Sequence, residues 1–174
     1  MLFTLLAIGP RTAHAHKASD AYLQLQVGSD EVDLRWDIAL RDLDAALDLD
    51  RNGDRKLTWG EVNARMDEIR AYALAHLRLQ QGRCALTPNA PPAVDDRIDG
   101  AYLVFQIKAR CDVSTVLSID YRLFREVDPT HRGLLRIVGH DGADPLVHSL
   151  DPSGGPITLS WASASHDGGQ GVVA

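Results

Sequence analysis

Val32-Asp33-Leu34-Arg35-Trp36-Asp37-Ile38-Ala39-Leu40-Arg41-Asp42-Leu43-Asp44-Ala45-Ala46-Leu47 changes its hydrophobic period partway along. Val32, Leu34, Trp36 and Ile38 alternate with charged residues, the pattern of a strand with one buried face. Leu40, Leu43 and Leu47 then recur at helical spacing. Upstream, Leu23, Leu25 and Val27 alternate with glutamines and end at the turn Gly28-Ser29-Asp30, so the strand is half of a β-hairpin. Downstream, Val62, Met66, Ile69, Ala73 and Leu77 predict a second helix, and helix, loop and helix fill 39–79.

Beyond Leu77 the period returns to two. Leu103, Phe105 and Ile107 alternate, as do Leu117, Ile119, Tyr121 and Leu123, then Leu135 and Ile137, then Ile157, Leu159 and Trp161. Asp99-Gly100, Asp128-Pro129, Asp141-Gly142 and Ser153-Gly154-Gly155-Pro156 punctuate them, and Pro88 to Pro92 is an irregular connection. Short strands with regular turns predict an antiparallel β-sandwich, so the fold class is α+β with a helical pair inserted after the first hairpin.

The link between the two predicted helices carries the chemistry. Asp50-Arg51-Asn52-Gly53-Asp54-Arg55-Lys56-Leu57-Thr58-Trp59-Gly60-Glu61 has the spacing of an EF-hand loop. Calcium is a hard cation that takes six to eight oxygens, and the loop supplies them from positions 1, 3, 5, 7, 9 and 12. Those positions hold Asp50, Asn52, Asp54, the Lys56 carbonyl, Thr58 and Glu61, with Glu61 as the bidentate ligand and Leu57 as the apolar anchor at position 8. A register begun at Asp48 would put Gly53 at the glycine position. It would also put Arg55 at the apolar anchor and Trp59 at the bidentate ligand. The Asp50 register has one defect: Arg55 occupies position 6, where glycine normally makes a turn with positive φ. With Arg51, Arg55 and Lys56 near the ion, binding is expected in the weak range of about 10⁻⁴–10⁻³ M. The bland alternative is a polar loop in which Asp50 or Asp54 caps a helix.

The 174 residues are 45% hydrophobic, enough for one domain with its own core, and the net charge of −6 excludes nucleic acid as a favoured partner while suiting a cation. Residues 1–15 pair an apolar run, Leu2 to Gly9, with the cleavage pattern Ala13-His14-Ala15. They are expected to be a truncated signal peptide, with a core strand as the alternative. The domain then spans 16–162, extracytoplasmic, and the tail 163–174 is expected to be disordered. In an oxidising compartment Cys84 and Cys111 are expected to form a disulfide, which closes a loop of roughly 27 residues and stabilises by about 3–4 kcal/mol.

His14, His16, His76, His131, His140, His148 and His166 show no zinc spacing, and His131 and His140 are expected on the surface beside a strand. A cleaved N-terminal His16 could chelate copper, although a solvated end is the simpler reading. No nucleophile elbow, P-loop or dinucleotide fingerprint occurs, and Ser118-Ile119-Asp120 with His131 is not a triad pattern, so no catalytic residue is predicted and the chain is not expected to be an enzyme.

His16-Lys17-Ala18-Ser19-Asp20-Ala21-Tyr22-Leu23, Trp36 to Asp44, Leu57 to Glu61, Asp120-Tyr121-Arg122-Leu123-Phe124 and Asp128-Pro129 with His131 to Leu135 give the chain a resemblance to the N-terminal extracytoplasmic region of bacterial HupE/UreJ-like membrane proteins, over about 16–150. In that family the soluble region precedes a membrane bundle linked to nickel or other metal uptake. The resemblance therefore implies an accessory module whose partner is a membrane protein, or a membrane domain absent from this chain. The alternative is a periplasmic nickel- or copper-handling protein.

Overall fold

The structure is a computed structural model and describes residues 19–28, 30–113, 116–139 and 145–160. The expected hairpin is β1 (Asp20–Val27) and β2 (Glu31–Ala39), antiparallel, with Val27 opposite Val32. Ala21, Leu23, Leu25 and Val27 point to one face with Val32, Leu34, Trp36 and Ile38, and all are buried. The chain then enters α1 (Leu40–Leu47), crosses the 50–61 loop, and continues through α2 (Trp59–Ala64) and α3 (Met66–Ala75) into β3 (Leu77–Leu79).

The helical insertion is narrower than 39–79. Ala39 ends β2, and Leu77, read as the last residue of a helical stripe, opens β3. The second helix also breaks at Arg65, where φ is −113° and ψ is 14°. The Arg65 guanidinium donates to the Leu47 and Asp48 carbonyls at 3.1 and 3.0 Å, satisfying acceptors that the end of α1 leaves open. The kink thus ties the two sides of the loop together.

Two sheets follow. The larger has the order β4–β6–β2–β1–β8–β9, where β4 is Ala85–Pro88, β6 Gly100–Arg110, β8 Arg132–Gly139 and β9 Leu146–Leu150. β5 (Ala93–Arg97) pairs with Gly100–Val104 of β6 and β4 with Ile107–Arg110, so these two short strands share one edge of β6 end to end. The smaller sheet is β10–β7–β3, with β7 Val116–Tyr121 and β10 Ile157–Ser160. It packs on the larger sheet. Tyr121 lies 6.2 Å from Trp36 between ring centroids, and a Cβ on Gly133 would come within 2.9 Å of the Tyr121 ring. Gly133 therefore makes room for the inter-sheet aromatic contact.

The arrangement is α+β and sandwich-like, but the sheets are not wholly antiparallel. β1 and β8 run parallel, with Leu23 opposite Leu135. β8 reaches this place only after the chain has crossed to the smaller sheet and back, the long connection a parallel neighbour needs. Cys84 and Cys111 form the expected disulfide, with Cα atoms 5.2 Å apart. It joins the residue before β4 to the end of β6. Among the described residues no helix is long and apolar enough to cross a membrane. Residues 1–15 and 163–174, with Trp161, His14, His16, His140 and His166, lie outside the described residues.

Candidate functional site

Local hydrogen bonding shapes the loop before any distant contact does. Asp48, at φ +53°, ends α1. The Asp44 carboxylate in α1 accepts the N–H groups of Leu49 and Asp50, both at 2.8 Å, and so fixes the first loop residue. The Asp50 carboxylate then accepts from Gly53 N–H at 2.8 Å and Arg55 N–H at 2.7 Å. Asn52 Oδ1 accepts from Asp54 N–H and Asp54 Oδ1 from Lys56 N–H, each at 2.8 Å. The side chains at positions 1, 3 and 5 thus gather the backbone around one side of the loop.

Arg55 takes φ +64°, the left-handed conformation usually left to glycine. Its N–H is the one that reaches the far oxygen of Asp50. Gly53, at φ +71°, supplies a second turn two residues earlier.

Thr58 and Glu61 form a capping box on α2. Thr58 donates its N–H and its hydroxyl to Glu61 Oε2 at 3.0 and 2.8 Å, and Glu61 N–H donates back to Thr58 Oγ1 at 3.4 Å. These bonds to Thr58 hold the exposed Glu61 carboxyl below its ordinary pKa, while the neighbouring Asp50 charge opposes them. Leu57 is half-buried and packs against the core. The inner side of the loop lines a cleft of about 400 Å³, in which Asp50, Arg55 and Leu57 face Leu40, Asp99 and Tyr102.

The six proposed donors therefore lie along one loop, with Asp50 and Glu61 close enough to interact electrostatically. They are not drawn into a single cluster: among the described residues no three His, Cys, Asp or Glu side chains are gathered as a metal-holding group. Three carboxylates repel one another, and Glu61 is turned onto Thr58 instead. All six donors are oxygens, which fits a hard cation better than a soft one.

His131 is wholly buried rather than on the surface, and it is the centre of a second polar cluster. Ser19 Oγ donates to Asp42 Oδ2 at 2.9 Å. That uses its only proton, so at 2.7 Å Ser19 accepts from His131 Nδ1–H. His131 Nε2 then accepts from the Tyr121 hydroxyl at 2.6 Å. Burial pushes the His131 pKa down to about 4, against the pull of Asp128. Burial likewise raises Asp42, opposed by its bonds to Ser19 and Arg41, and raises Tyr121 well above the phenol range. Sequence reasoning missed this cluster because its four members lie on the starts of β1 and β8, the end of β7 and the first turn of α1. His76 pairs with Glu126 at 3.2 Å, and His148 lies on β9, so the described histidines sit on separate elements. No protein-family model matches the chain, and no curated protein matches it in sequence.

Proposed function

We propose that the protein is an extracytoplasmic calcium-binding module in which an EF-hand, built from α1, the 50–61 loop and α2, holds one ion. The ligands are Asp50, Asn52, Asp54, the Lys56 carbonyl, Thr58 and Glu61. The observation that carries this reading is the backbone of Arg55. A residue unsuited to the left-handed region adopts it at loop position 6, and its N–H bonds to the position 1 carboxylate. Asp48, Gln80, Gln81 and Phe124 also have positive φ, and what sets Arg55 apart is the bond from its N–H to the position 1 carboxylate. A bound divalent cation offsets the charge of Asp50, Asp54 and Glu61, and Glu61 would turn from capping α2 to chelation.

The site serves a structural role. It fixes the crossing between two short helices, and the disulfide is compatible with an oxidising compartment. The resemblance to HupE/UreJ-like proteins makes the module an accessory of a membrane protein. Calorimetric titration with calcium, magnesium, nickel and copper tests the reading. One calcium per chain is expected, with most binding lost in Glu61→Gln. A chain that takes up no calcium, or a Glu61→Gln variant that titrates like the parent, would overturn it.

A further inference from the structure

Asn52-Gly53 is the only Asn-Gly pair in the chain. The other two asparagines, Asn63 and Asn89, each precede an alanine. All three are exposed. Asn63 is held in α2, and Asn89 donates its N–H to the Gln106 carbonyl of β6 at 3.0 Å. Asn52 lies between α1 and α2, where no regular element fixes its backbone. Its side chain is bonded through oxygen alone among the described residues. Oδ1 accepts from Asp54 N–H at 2.8 Å, and the amide nitrogen is left to water. Gly53 presents its backbone nitrogen with no side chain to shield it, and nothing lies within 4 Å of where a Cβ would stand. The bond from that N–H to Asp50 Oδ1, at 2.8 Å, is exposed, so water can take its place.

We propose that Asn52 is a site of spontaneous deamidation, with the neighbouring backbone as its nucleophile. Gly53 N gives up its proton to solvent hydroxide and attacks Asn52 Cγ. The negative charge that gathers on Oδ1 in the tetrahedral adduct is met by the Asp54 N–H already bonded to it. The Cγ–Nδ2 bond then breaks, Nδ2 takes a proton from water and leaves as ammonia, and a five-membered succinimide remains. Water opens this ring. Attack at Cγ gives aspartate, and attack at the main-chain carbonyl gives isoaspartate, in which the backbone runs through the side chain. One water is consumed and one ammonia released, with no change of oxidation state. A further consequence rests on the calcium reading of the same loop. A loop closed on the ion holds Asn52 by its oxygen and keeps Cγ from turning to Gly53 N. The isoaspartyl product adds one carbon to the backbone after loop position 3 and upsets the ligand spacing. Deamidation thus retires chains that stand without the ion.

The test incubates the full chain in mildly alkaline buffer, with chelator or with calcium, and digests it with trypsin, which cuts after Arg51 and Arg55. Mass spectrometry of the Asn52-Gly53-Asp54-Arg55 peptide reads the exchange of amide for carboxylate, and Asn63 and Asn89 in the same digest are the references. In chelator Asn52 should convert at least about tenfold faster than either reference, and Gly53→Ala should slow it about tenfold or more. Calcium at tenfold excess over Kd leaves about a tenth of the chains open and should slow the parent by about that factor. Conversion at Asn52 no faster than at Asn63 and Asn89, or unaffected by Gly53→Ala, overturns the proposal. Equal rates with and without calcium, in a chain that calorimetry shows to hold the ion, overturn the protection. A chain that holds no calcium overturns the calcium reading instead, and the rates in chelator still decide the deamidation site.

Discussion

The 50–61 loop and the chain Tyr121–His131–Ser19–Asp42 both arrange polar groups around a centre, but under opposite conditions. In the loop every hydrogen bond except those accepted by Asp44 is exposed, and most link a side chain to a backbone N–H within five residues. In the His131 cluster Ser19, Tyr121 and His131 are buried, and the partners are as far as 112 residues apart in sequence. Water can replace a lost partner in the loop, but not around His131. Loss of a group should therefore be mild in one place and severe in the other, and calcium should matter only where water reaches.

The largest effect is expected from His131→Ala. It leaves the Tyr121 hydroxyl without its acceptor and Ser19 without its donor. It also opens a cavity beside Phe124, whose ring meets the imidazole edge-on at 4.8 Å. Urea unfolding should register a loss of about 3–5 kcal/mol. Asp54→Ala in the loop, measured without calcium, should cost no more than about 1 kcal/mol. Equal losses would end the contrast between the two clusters.

Acid should separate them next. The His131 pKa is about 4 in the folded protein and near 6.5 when unfolded. Between those values the unfolded chain binds more protons, so the stabilisation is complete above about pH 6.5 and is lost as pH falls towards 4. The loss attributable to His131 is about 3 kcal/mol. Asp42, raised by burial, favours the folded state on protonation and softens the decline at its lower end. The slope of unfolding free energy against pH in this window should flatten in His131→Ala. An unchanged slope would show that other groups govern the acid response.

Calcium should act on the other region. Amide exchange after chelation should rise across Leu40–Leu47 and residues 50–75, while β6 stays protected. At tenfold excess over Kd, occupancy stabilises by about 1.4 kcal/mol, a thermal shift of a few degrees. If β6 lost protection equally, the ion would be holding the sandwich as well as the insertion.

What the sequence disclosed divides along the same line. The first hairpin, α1, the interior strands and the disulfide pair were legible because each rests on local periodicity or on a simple count. The kink at Arg65 was not, since its cause is a bond to carbonyls 17 and 18 residues away. Strands β4 and β5 were hidden because Pro88 to Pro92 reads as an irregular connection and the charges of Asp95, Asp96 and Arg97 leave no alternating apolar face. Arg35 and Arg97 pair with Asp95, and both also reach Asp37 in β2, so an ion-pair lattice holds β5 in place. The six proposed ligand positions could be named because the EF-hand spacing, which they are proposed to follow, is contiguous in sequence. His131 was placed on the surface because a lone histidine beside a strand carries no local mark of burial, and its partners are brought to it only by the fold.

The smallest effect sharpens the reading of the loop itself. Arg55→Gly relieves a left-handed backbone at a cost-saving of about 1 kcal/mol, but glycine also frees the unfolded chain by about 0.5–1 kcal/mol. The net change in stability should be within a few tenths of a kcal/mol. Affinity for calcium is a separate matter. If Arg55 keeps its φ of +64° with and without the ion, relief of strain is shared by the two states and cancels in binding. What remains is the removal of one exposed positive charge near the ion, worth a few tenths of a kcal/mol to about 1 in water. Calorimetry at low salt should therefore find binding about two- to fivefold tighter. In about 1 M salt, where the screening length falls to about 3 Å, the difference should vanish. A gain that survives high salt would mean that Arg55 leaves the left-handed region when no ion is bound, and weaker binding in Arg55→Gly would remove position 6 from the account of the site.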